Sequence, residues 1–257
     1  MIGSKLIELG CSRFVSDITD AVEVDKELKN KKPEVLINLA AMTDVDWCQE
    51  HPHEAMNVNT AVLLFDMAEK HNTSVVQLSS CHLFSGRFLG NYKETMWDVR
   101  PVNSYGFTKL ISEANSEAYD NVKIVRASAI ISPDRKSFAH YMDNIGRGET
   151  VRPPAFMWRS FIHLDHFVEQ LVYYADRFDT MPKRLNLAGS KVISWYNLIR
   201  RAASYNGNQH LVKPRFFDSK LPGQAPRPHR TGLNTNLSKS LGFPQYDYLD
   251  CLSEIYG

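Results

Sequence analysis

Val35-Leu36-Ile37-Asn38-Leu39 constrains the fold of this chain more than any other stretch. Almost every residue in it is apolar, so neither face is left for water, and the run is too short for a buried helix. A strand covered on both sides is the structure that suits it. Two comparable runs follow, Ser74–Ser79 and Val122–Arg126, and helical patterns separate all three. Strands alternating with helices imply right-handed crossovers and parallel pairing. The expected fold class is therefore α/β, a Rossmann-like parallel sheet with helices on both faces and a smaller C-terminal lobe.

The helical patterns have readable limits. Ser4–Leu9 forms a short first helix, and Asp17-Ile18-Thr19-Asp20 caps a second that runs to about Lys31, before Pro33 breaks it. Val58–His71 reads as one long helix and Ser104–Tyr119 as another. The second half is more mixed, with helices expected at 138–147, 164–178, 194–205 and 249–256, and a Pro-rich loop from Lys213 to His229.

Charge and cysteines exclude several classes. Thirty basic residues against 29 acidic ones give a net charge of +1, which offers no footprint for nucleic acid. The four cysteines form no C-x-x-C, as expected for free thiols in a reducing compartment. No apolar run approaches the roughly 18 residues of a membrane helix, so a soluble, cytoplasmic protein is expected. His163-Leu164-Asp165-His166 has a metal-like spacing without a third ligand nearby. It reads better as a strand-to-helix junction with Asp165 as cap, and no metal is assigned.

One pattern carries chemistry. Tyr105 and Lys109 stand four residues apart, on one face of a helix. A nearby ammonium favours the phenolate, which is expected to lower the Tyr105 pKa so that it exchanges a proton near neutrality. Among 11 tyrosines the spacing alone is weak, and Tyr119 with Lys123 repeats it. That second pair straddles a helix end and a strand start, so it reads as chance. The first has Asn103-Ser104 to cap its helix and the hydroxyls of Ser79-Ser80 upstream.

With these residues the chain resembles the extended short-chain dehydrogenase/reductases that act on nucleotide sugars, most closely their dTDP-4-dehydrorhamnose reductase branch. The resemblance is carried by Val35–Asp46, Asn57–Asn59, Leu78–Gly86, Pro101–Lys109, Val125–Ser128, Arg227-Pro228, Leu233-Asn234 and Leu241–Phe243, in family order. It implies a catalytic trio of Ser80, Tyr105 as proton donor, and Lys109, which also holds the nicotinamide ribose. It further implies an NADP or NAD site at Gly3, Asp17, Ile18, Ala40, Ala41 and Thr43, with His82 and Arg227 toward the sugar. Residues 1–130 would then be the dinucleotide-binding domain and 131–257 mainly the substrate-binding lobe. The chain departs from the family pattern at Cys81 and His82, where Asp and Tyr are usual, and lacks a tryptophan after Arg126. Met1-Ile2-Gly3 reads like the last third of a glycine-rich phosphate loop, so the first strand and two earlier glycines are expected to be missing. Gly10–Ser16 likewise leaves little room for a second strand.

Three functions fit this reading. The first is an NAD(P)-dependent reductase of a nucleotide-linked keto-sugar. The second is a non-catalytic regulatory or binding subunit, resembling the beta subunit of methionine adenosyltransferase. The third is a nucleotide-sugar epimerase or dehydratase, which uses the same Tyr-x-x-x-Lys. A homo-oligomer or a protein partner is compatible with each.

Overall fold

A computed structural model describes residues 1–96, 99–216 and 224–256. Its first half alternates as expected: α1 (Ile2–Glu8), α2 (Ala21–Lys31), β1 (Val35–Asn38), α3 (Val45–Glu50), α4 (Pro52–Asn59), α5 (Val62–Lys70), β2 (Ser74–Ser80), α6 (Ser104–Ser116) and β3 (Val122–Ala127). The remainder contains β4 (Ile130–Ile131), α7 (Lys136–Gly146), β5 (Trp158–Ser160), β6 (Ile162–His163), α8 (Leu164–Ala175), β7 (Arg184–Leu187), β8 (Val192–Ser194), α9 (Trp195–Ser204), α10 (Asn236–Ser240) and α11 (Tyr248–Tyr256). Part of the expected loop at 213–229, residues 217–223, lies outside the described residues.

The central sheet has the order β1-β2-β3-β7 and is parallel throughout, with Leu36 opposite Val75 and Leu78 opposite Val125. Its faces are covered differently. On one side Val24, Leu28, Leu64 and Phe65 from α2 and α5 pack with Leu36 and Val75. On the other, Phe167, Leu171 and Tyr174 of α8 pack with Val76, Val125 and Leu185. Each such side chain, fully buried, contributes about 1.5–3 kcal/mol. A separate core joins α7, α9 and α11 through Phe138, Ile145, Leu198, Ile199 and Leu252. Thus β7 is a strand of the sheet and α8 packs against it although both follow residue 130, and the second core gathers α7, α9 and α11.

Several local expectations change. The run 58–71 is two helices, because Ala61 adopts a left-handed conformation (φ 56°) between α4 and α5. The adjoining Asn59 is wholly buried and bonds the Met42 backbone and the Thr108 hydroxyl, contacts a continuous helix would have to accommodate. Within the expected Asp17–Asp20 stretch it is Asp20 that caps α2, its carboxylate accepting from the Val22 and Glu23 amides. The 163–166 segment is indeed a strand-to-helix junction, but His163, rather than Asp165, caps α8 by accepting from the Asp165 amide. Among the described residues no helix is long and apolar enough to cross a membrane, and no group of His, Cys, Asp and Glu is arranged to hold a metal.

Candidate active site

The carboxyl ends of β1, β2 and β3 open into one cavity of about 930 Å³, walled on its far side by α7, β5 and α9. This is where parallel α/β sheets bind ligands. Ser80 ends β2 and caps the 3-10 turn Cys81–Leu83, its hydroxyl accepting from the His82 amide at 3.2 Å. Asn103 caps α6 by accepting from the Gly106 amide at 2.8 Å, and so directs the first turn of α6 toward the cavity. Gly106 is required there: a Cβ would lie 2.3 Å from the His82 carbonyl oxygen. The close approach of α6 to the turn puts Tyr105 and Ser80 on the wall of the same cavity.

Lys109 follows one turn later, 3% exposed, and donates to the Leu78 carbonyl at 3.1 Å. Its Nζ lies 5.9 Å from the centre of the Tyr105 ring. Burial pushes the ammonium down to about 8, against the pull of Cys48 and Glu113. The same burial pushes the Tyr105 phenol up to about 12, with Ser80 opposing. This corrects the expectation drawn from spacing: desolvation dominates, Lys109 is not among the groups that shift the phenol, and Tyr105 is neutral at pH 7. A neutral phenol is the form that can donate a proton to a carbonyl.

The other assigned residues divide. Gly3, Ala41, Thr43, His82 and Arg227 line the same cavity as Ser80, Tyr105 and Lys109. Asp17, Ile18 and Ala40 are not among its lining residues. Ile18 is buried in the core beneath α2 and α5, the Asp17 carboxylate accepts from the Thr19 amide and hydroxyl, and the Ala40 amide donates to Asn38. Gly3 sits inside α1, and a Cβ there would meet Leu39 at an ordinary 3.6 Å. Tyr119 and Lys123 do not form a second site: Tyr119 donates to Asp66 and Lys123 to the Phe178 and Met181 carbonyls.

Two cations were not foreseen. Arg159, 2% exposed, donates to the carbonyls of Trp158, Pro228 and His229, and Arg135 donates to that of Ile130. Both line the cavity, and neither is paired with a carboxylate among the described residues. Arg227, by contrast, is held by Asp46 at 2.9 and 3.0 Å. Burial, followed by Arg159, Arg227 and Arg135, pushes the His82 imidazole down to about 3, so it is neutral. Its Nδ1 is buried without a hydrogen-bond partner among the described residues. Farther along the wall Trp195 packs beside Tyr141, with ring centres 6.2 Å apart. The one sequence signal for Arg159 was a charged residue inside the aromatic run Phe156–Phe161.

A parallel α/β sheet with Ser, Tyr and Lys converging at its carboxyl edge is the arrangement of the short-chain dehydrogenase/reductases. The family described as RmlD substrate binding domain matches residues 4–256, and the chain belongs to it. A dTDP-4-dehydrorhamnose reductase of Aggregatibacter actinomycetemcomitans is 34% identical over 99 residues, which are 38% of this chain and only 33% of that protein. One from Mycolicibacterium smegmatis is 28% identical over 246 residues, 93% of this chain and 74% of that protein. The fold is shared with a dTDP-4-dehydrorhamnose reductase of Clostridium acetobutylicum at a TM-score of 0.85 and 23% identity, over 93% of this chain and 85% of that one. It is shared also with the Bacillus anthracis enzyme solved in complex with NADP, at a TM-score of 0.82 and 20% identity, over 93% and 86% of the two chains.

Proposed function

We propose that this chain is an NAD(P)H-dependent reductase of a nucleotide-linked keto-sugar. The observation that carries the reading is the meeting of a neutral Tyr105 phenol, the Ser80 hydroxyl and the Lys109 ammonium in one cavity with the Arg159 and Arg135 guanidiniums, which have no carboxylate partner among the described residues.

The donor set suits a nicotinamide cofactor. Among the described residues the Lys109 ammonium donates to a single acceptor, leaving donors for the hydroxyls of a ribose. Gly3, Ala41 and Thr43 are the assigned residues best placed to line that cofactor, which supplies the hydride when bound.

The chain's own groups account for the rest of the reaction. Ser80 donates a hydrogen bond to the substrate carbonyl oxygen and fixes it against Tyr105. As hydride reaches the carbonyl carbon, charge builds on this oxygen, and Tyr105 transfers its proton there. Lys109 stabilises the phenolate left behind, which then recovers a proton from solvent. Arg159 and Arg135, short of carboxylate partners, receive a diphosphate. The neutral His82 can donate to or accept from a sugar hydroxyl, while Asp46 fixes the direction of Arg227.

Binding and product analysis test the proposal. NADPH and NADH are titrated by the fluorescence of the reduced nicotinamide, and nucleotide-linked keto-sugars are then supplied to the loaded protein. The expected result is cofactor binding followed by stoichiometric oxidation and a sugar alcohol centre as product. An epimerase or dehydratase would turn over without net oxidation, and a regulatory subunit would give no product; either result would overturn the reading.

A further inference from the structure

Behind the cavity lies a buried ion pair that the proposed chemistry does not use. Glu113 stands one helical turn beyond Lys109 and two beyond Tyr105, on the inner face of α6, and is 3% exposed. Its carboxylate accepts from Arg126 Nε at 3.0 Å and NH2 at 2.7 Å, and from the Ser79 hydroxyl at 2.5 Å. Arg126 is equally buried and also donates to the Glu94 carbonyl at 3.0 Å. Arg184 approaches the same carboxylate at 3.4 Å.

The attachment points fall on consecutive residues of β2. The Leu78 carbonyl accepts from Lys109, Ser79 donates to Glu113, and Ser80 lines the cavity with Tyr105. Fastening a helix to a sheet does not need a buried ion pair, since apolar residues of similar volume often hold as well or better. What the pair adds is direction, through several hydrogen bonds of fixed geometry.

We propose that Glu113 is a positioning residue for the Ser80–Tyr105–Lys109 site, fixing the end of β2 against the face of α6 that carries Tyr105 and Lys109. It also acts on Lys109 through its charge. Lys109 is faced by Cys48 of α3, by Tyr105 and Glu113 of its own helix, and by the Leu78 carbonyl of β2. Within that set Glu113 is a carboxylate that opposes the desolvation of the ammonium, so its removal leaves Lys109 easier to deprotonate. The catalytic part of the inference rests on the reductase reading; the geometric and electrostatic part does not.

The test separates the two. The full chain, labelled with 13C at lysine Cε, is titrated by NMR, and the Lys109 resonance is assigned by its loss in Lys109→Met. In Glu113→Gln, which keeps the side chain's reach but not its charge, the Lys109 midpoint is expected to move to lower pH. The alkaline limb of kcat should move with it, while KM for the nucleotide sugar stays within about threefold of native. Should Glu113→Gln fail to fold, Glu113→Leu/Arg126→Met replaces the pair with apolar groups and is expected to fold and to move Lys109 in the same direction but by less, because the positive charge of Arg126 leaves together with the negative charge of Glu113. A native Lys109 midpoint in the folded variant would show a merely structural pair and overturn the proposal, as would failure of both variants to fold. A native protein that turns over no keto-sugar would instead refute the reductase reading, and the NMR titration would still decide the role of Glu113.

Discussion

Replacing Lys109 with methionine should stabilise the protein near neutral pH while abolishing its chemistry. The ammonium is 3% exposed, and burial pushes its pKa from 10.5 to about 8. The gap between those values, at about 1.4 kcal/mol for each tenfold change, means that holding the charged form in the folded state costs roughly 3 kcal/mol below pH 8. The sign follows from proton counting. Between about 8 and 10.5 the unfolded chain binds more protons at this group than the folded one, so native stability gained from it rises with pH. Methionine has a similar unbranched shape and carries no charge, but it leaves the Leu78 carbonyl without its donor, a loss of about 1 kcal/mol. The variant should therefore be about 2 kcal/mol more stable than native near pH 7 and slightly less stable near the top of the window. Urea unfolding of both proteins across this range, without cofactor, measures the difference. A variant that is less stable at neutral pH, or a difference that does not change with pH, would refute the account of Lys109 as a buried charge held at a cost to stability.

Three further outcomes follow from the site. Arg159→Met should raise KM for the nucleotide sugar by roughly ten- to hundredfold, the worth of a charge-assisted hydrogen bond, with kcat changed far less; an unaltered KM would remove Arg159 from the anion site. Gly106→Ala should destabilise the fold by about 1–3 kcal/mol, since its Cβ would press to 2.3 Å from the His82 carbonyl; an unchanged melting temperature would contradict that close approach. Turnover should show no imidazole inflection from His82 between about pH 5 and 7, because burial and three guanidiniums hold it near 3, and should fall through about 8 as Lys109 loses its proton. A turnover midpoint near the ordinary histidine value that disappears in His82→Asn would contradict this assignment.

The sheet was legible because its three leading strands are short runs rich in Val, Ile and Leu separated by helical patterns, although Val35 and Ile37 of β1 are only partly buried. Strand β7 was not, because Arg184-Leu185-Asn186-Leu187 is short and mixed. Its Asn186 is buried only by virtue of distant partners, the Tyr92 and Asn234 carbonyls. The break at Ala61 was hidden for the same reason, since Asn59 is bound by Met42 and Thr108. Within the site, helical spacing correctly placed Tyr105 and Lys109 on one face, and the resemblance placed Ser80 opposite. The direction of the Tyr105 shift was misread, because spacing shows the cation and conceals the desolvation. Arg159 and Arg135 escaped notice because what marks them is the lack of a carboxylate partner, which only three-dimensional packing displays.

Turnover in Tyr105→Phe tests the central claim most directly. The substitution removes one oxygen from the cavity and leaves Lys109, Ser80 and the Arg159 and Arg135 guanidiniums in place. Oxidation of NAD(P)H by a nucleotide-linked keto-sugar is followed for native and variant protein, with cofactor affinity measured in parallel. The account predicts cofactor affinity within about threefold of native and a fall in kcat of roughly 10²–10⁴, the range for loss of a positioned general acid. Native turnover in the variant would contradict it.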